Sequence, residues 1–208
     1  MKRAAISLVL AASAYARVIS RRQDDTQQQL LNAVRSWQDD TDEVSSFLDL
    51  SVGFDQSSDN FASLAIDALG QEKDELKHKA TIEQLVGIGS TSCSIGNDQC
   101  LSVTAANDTL VADGTFQSVV NLLQDMSNNG LSAIGDVDKI NNGHDGIGGR
   151  CGSVLPAIDE YFLSASEFLQ QNFNDNSLVG QQAIRPKACN FAGQTVPTVA
   201  QLGLGADP

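Results

Sequence analysis

Apolar residues recur at helical spacing in four long segments of this chain, and that rhythm leaves little sequence from which a sheet could be built. From Gln27 to Leu50, the residues Leu30, Val34, Trp37, Val44 and Leu48 fall at spacings of four, three, seven and four. Asp39, Asp40, Asp42 and Glu43 lie largely off that stripe, so the segment reads as an amphipathic helix. A second helix is predicted from about Asp59 to Val86, opening on the cap-forming Asp59-Asn60 and carrying Phe61, Ala65, Ala68, Leu69, Leu76 and Leu85. Its middle, Gln71 to Lys79, is almost wholly polar and places Glu75 and Lys79 at i,i+4, which reads as a solvated outer face.

The third helix begins near Thr115, with Phe116, Val119, Val120, Leu123 and Met126 on one side and Asn129-Gly130 as its stop. Ile134, Val137 and Ile140 suggest a short continuation. The fourth runs from Ser153 to about Phe173, where Pro156 suits the first turn and Ile158, Phe162, Ala165 and Leu169 form the stripe. Between Ile88 and Asp113 the chain is rich in Gly, Ser, Asn and Asp, and from about 174 it becomes a loop-like tail marked by Pro186, Pro197 and Pro208. No repeat or composition break divides it. The expectation is an all-α protein, a helical bundle of four main helices with a disulfide-stapled loop and a C-terminal tail.

The N-terminus points to export. Lys2 and Arg3 precede the apolar run Ala4 to Ala14, and Ala14-Tyr15-Ala16 is a small-x-small cleavage site, so residues 1–16 read as a secretory signal peptide. Residues 17–22 then form a short pro-segment ending in the dibasic Arg21-Arg22, and 23–208 is the single helical domain. Removing residues 1–22 takes away Lys2, Arg3, Arg17, Arg21 and Arg22 and no acid, which moves the formal charge from −13 to −18. So acidic a surface repels phosphate backbones and anionic headgroups, which argues against nucleic acid and against electrostatic membrane docking. No later apolar run is long enough for a membrane span. The final residues, Gln201 to Pro208, lack the hydrophobic tail that a lipid anchor requires.

Cys93, Cys100, Cys151 and Cys189 all follow the leader, and in an oxidising compartment an even count implies two disulfides with three possible connectivities. The turn-rich gap favours Cys93–Cys100, which leaves Cys151–Cys189 to tie the tail to the body. Zinc is the competing use, but the six-residue gap exceeds the usual two to four and the chain has two histidines.

Three places could carry chemistry. Glu75 and His78 stand at i,i+3 on a helix, as in di-iron carboxylate bundles, yet the second Glu-x-x-His such a metal site needs is missing, so a solvated face is the plainer reading. His144 and Asp145 lie in a glycine-rich stretch before Cys151, a pairing like that of secreted phospholipases, where the histidine activates a water. Gly143 and Gly146 bracket the pair and oppose a helix there, which favours an interhelix loop. Asn107-Asp108-Thr109 is an N-glycosylation acceptor, with Asn107 as its site. Nothing in the chain calls for a cofactor.

The leader, the dibasic pair, the acidic helices and the cysteines together resemble small secreted proteins of ascomycete fungi. The helix with Leu30, Val34, Trp37, Val44, Phe47 and Leu48 resembles, over that one helix, the opening of the hydrophobic-surface-binding and cell-wall galactomannoprotein family. The resemblance implies a non-enzymatic protein that adsorbs to apolar surfaces or captures lipid within a helical bundle, in the medium or the cell wall. Trp37, Phe61, Phe116 and Phe162 would then line the ligand site, unless they simply fill the core. An effector that meets a host protein through its acidic face is the alternative. A hydrolase built on His144 and Asp145 comes third.

Overall fold

The computed structural model describes residues 4–51, 60–88 and 97–189, with side chains described over 25–51, 60–88 and 100–189. The fold is all-α. Helices α1 (Ala4–Ser51) and α2 (Phe61–Val86) form an antiparallel pair: Phe47, near the end of α1, meets Phe61 at the start of α2, with ring centroids 5.6 Å apart, and Trp37 reaches Glu75 further along. Helix α4 (Thr115–Asn129) packs on α2 and ends at Gly130, whose φ of +58° marks the predicted stop. A short 3-10 turn and α5 (Asp136–Asn142) follow, and α6 (Leu155–Phe173) carries Pro156 in its first turn as expected.

One helix lies where the sequence reads as loop. Helix α3 (Asn97–Asn107), extended by a π-turn over Asp108–Ala112, packs against α6. The reason is a narrow stripe: Val103, Ala106 and Leu110, at spacings of three and four, are essentially fully buried, while Leu101, Thr104 and Asp108 are exposed. The glycine-rich stretch after α5 is also ordered, as a two-residue hairpin pairing Gly143 with Gly148 and His144 with Ile147. Its turn residues, Asp145 and Gly146, have φ of +51° and +82°, the left-handed pair of a type I′ turn. Gly143 is obligatory, because a Cβ there would stand 2.3 Å from the Ile147 carbonyl oxygen.

The polar middle of α2 is a second correction. Its buried positions are Phe61, Ala65, Ala68, Leu69, Glu72, Glu75, Lys79, Ile82 and Val86, an unbroken helical stripe whose centre is charged, while Leu76 is exposed. Glu72 and Glu75 face inward because Arg150, itself fully buried, meets both. Its guanidinium bonds Glu72 and lies 3.2 Å from Glu75 Oε1. Lys79 does not pair with Glu75. It turns to Glu83 at 2.6 Å and lies over the Tyr161 ring at 5.4 Å.

The tail, from Asn174 to Cys189, is irregular but docked along α1. Gln27 donates to Asp175 (2.7 Å), Gln38 to the Gln182 carbonyl (2.7 Å), Ser45 to the Ile184 carbonyl (2.8 Å), and the Ile184 N–H to the Thr41 hydroxyl (3.0 Å). Cys151–Cys189 closes it with a Cα–Cα distance of 5.1 Å. Cys100 is disulfide-bonded too, and the expected partner Cys93 lies outside the described residues. Among the described residues no helix is long and apolar enough to cross a membrane.

Candidate functional site

The four aromatics singled out in the sequence are all buried: Trp37, Phe61 and Phe162 almost completely, Phe116 nearly so. Trp37 packs on Tyr161 and Phe162, with centroids 5.4 and 5.7 Å away, and its indole Nε1–H donates to Glu75 Oε2 at 3.0 Å. Phe61 packs on Phe47. Phe116 sits in the same apolar cluster on α4. Rings in mutual contact at these distances fill space in the way a core does.

Glu75 and His78 part company. Glu75 belongs to the buried group just described, where two carboxylates face one guanidinium. Burial pushes Glu72 up to about 8 against the pull of Arg150, and it raises Glu75 for the same reason. Desolvation thus outweighs the attraction of the guanidinium at both carboxyls. His78 instead points along the seam between α1 and α2. Its Nε2 is 3.2 Å from Asp40 Oδ2 and 3.6 Å from Asp74 Oδ2. Burial holds the imidazole below its ordinary pKa despite the neighbouring Asp74. It also pushes Asp40 up to about 7, helped by the charges of Glu75, Asp74 and Asp39.

His78 lines a solvent-open groove of about 230 Å³ along this seam, with Gln29, Asn32, Ala33 and Ser36 from α1 and Thr81 from α2. The spacing explains the arrangement. Gln29, Asn32 or Ala33, Ser36 and then Asp40 recur every three or four residues on α1, and Asp74, His78 and Thr81 do so on α2. Two antiparallel helices therefore present one polar edge each to the same trough.

His144 and Asp145 stand on the hairpin. His144 Nε2 is 2.9 Å from Ser118 Oγ on α4, and its Nδ1 is 3.2 Å from Asp145 Oδ2, so a serine, an imidazole and a carboxylate fall in line. Ser118 has no sequence signal that ties it to the hairpin, since the link is made by packing alone. The Asp145 side chain is 93% exposed, however. A carboxylate that water solvates so fully neither fixes a histidine tautomer nor stabilises an imidazolium as a buried one does. Asn107 ends α3, half-buried at the junction with the π-turn.

No protein-family model, curated protein or solved structure matches this chain.

Proposed function

We propose that this chain is an exported, non-enzymatic binding protein whose site is the groove between α1 and α2. The observation that carries the reading is the groove's lining. Gln29, Asn32, Ser36, His78 and Thr81 offer both donors and acceptors from two packed helices, a set suited to a small polar ligand. Export is supported by the basic start, the apolar run and the small-x-small site at Ala14-Tyr15-Ala16, and the disulfide-bonded cysteines fit an oxidising compartment. Lipid capture in the bundle interior would require Trp37, Phe61, Phe116 and Phe162 to part from their present neighbours. Their close packing is why the groove is preferred.

Native mass spectrometry of the protein recovered from culture medium tests this reading. A polar adduct that disappears when Ser36→Trp fills the groove supports it. A fatty-acid adduct that survives Ser36→Trp would overturn it in favour of the apolar interior.

A further inference from the structure

We propose that Asp40, Asp74 and His78 form a binding site for a divalent transition-metal cation, with Zn²⁺ the best match, beside the α1–α2 groove, with which it shares His78. One donor atom from each residue lies within 4.8 Å of the others. The separations from His78 Nε2, 3.2 Å to Asp40 and 3.6 Å to Asp74, bracket the edge of a tetrahedron with metal–ligand bonds of about 2.1 Å, which is roughly 3.4 Å. Imidazole nitrogen and carboxylate oxygen are both donors that zinc takes, and three protein ligands leave a fourth tetrahedral position open.

A second observation points the same way. Asp40 is only 7% exposed, and its Oδ2, the atom turned toward His78 and Asp74, has no hydrogen-bond partner. Its 3.2 Å contact with the imidazole is an approach without hydrogen-bond alignment. A buried carboxylate oxygen without a partner is costly. A cation between the three residues would satisfy it. The second carboxylate is also free to serve, because Lys77 engages Asp74 through Oδ1 and leaves Oδ2 facing the cluster. Neither Glu75 nor Glu72 competes, since both are committed to Arg150.

Three protein ligands leave one position for water or for an atom of a ligand in the groove. This deepens the groove reading and rests on it only in sharing His78. The test is calorimetric titration of metal-free protein with ZnCl₂, together with the visible spectrum after Co²⁺ addition. The expected result is one Zn²⁺ per chain and tetrahedral Co²⁺ bands. His78→Ala and Asp40→Asn should each weaken Zn²⁺ by more than about tenfold. His144→Ala, which removes the other histidine, should leave binding unchanged. No one-to-one uptake, or uptake that survives His78→Ala, would overturn the proposal. His78 is partly exposed along the groove rather than in the apolar core, so that variant decides the matter even if Asp40→Asn fails to fold. Groove binding of an organic ligand by metal-free protein is read separately, so loss of the zinc site alone leaves the groove reading standing.

Discussion

Trp37 donates its indole N–H to the Oε2 of Glu75 at 3.0 Å, so the one tryptophan of the chain, among the largest fully buried side chains, also partners a buried carboxyl. Glu75 in turn meets Arg150, which also holds Glu72 and lies 3.5 Å from the Thr41 carbonyl. Aromatic packing and ion pairing in this bundle are therefore a single unit. Trp37→Phe keeps most of the ring but leaves Glu75 short of a donor. It should destabilise the protein by about 1 to 3 kcal/mol, and Trp37→Ala by about 3 to 5 kcal/mol, measured by urea unfolding.

Arg150→Met should be as damaging as Trp37→Ala. It strands Glu72 and Glu75 in the core without a counter-charge, and breaking a buried pair from one side costs about 3 to 5 kcal/mol. Adding Glu72→Gln and Glu75→Gln to Arg150→Met should recover much of that loss. A triple variant no more stable than Arg150→Met alone would show that the charges are not what the core requires.

Glu160 provides a pH test away from the groove. It is fully buried, accepts a bond from Ser102 through Oε2, and leaves Oε1 without a partner. Burial raises its pKa above the ordinary value of 4.5, with Asp159 and Glu167 adding to the rise and Ser102 opposing it. The folded state thus holds a proton that the unfolded chain has released. The contribution to stability is complete below the unfolded value and is lost as pH rises through the folded one. Glu160→Gln should match the parent near pH 4 and exceed it increasingly toward neutrality, as read from unfolding midpoints across pH. A constant gap would contradict this.

The Cys151–Cys189 bridge closes a separation of 38 residues and is worth roughly 4 kcal/mol on the chain-entropy model. Replacing both cysteines by Ser should lower stability by about that amount and open residues 175–189 to protease first. Non-reducing peptide maps should recover Cys151 with Cys189.

Sequence periodicity located α4, α6 and the end of α1 nearly to the residue, because apolar side chains define their buried faces, whereas α1 itself begins at Ala4, well before the expected Gln27. It misplaced the centre of α2, because Glu72, Glu75 and Lys79 occupy the core stripe and their partners, Arg150, Trp37 and Tyr161, are distant in the chain. Helix α3 escaped notice because its apolar stripe is narrow and its other faces resemble a loop. The hairpin reads as an interhelix loop in the sequence although Asp145-Gly146 is a dipeptide that a type I′ turn favours, because its two-residue strands are too short to show an alternating pattern. The groove was not readable, since Asp40 and His78 lie on different helices and only the antiparallel pairing brings them together. Ser118 beside His144 is hidden for the same reason.

The most direct test of the groove as the binding site is amide chemical-shift mapping of the isotope-labelled, metal-free protein against neutral hexoses, free amino acids and a soluble fatty acid. The account predicts shifts confined to Gln29, Asn32, Ala33, Ser36, His78 and Thr81, produced by a polar member of the panel. Shifts produced by the fatty acid and centred on Trp37, Phe61, Phe116 and Phe162 would contradict it.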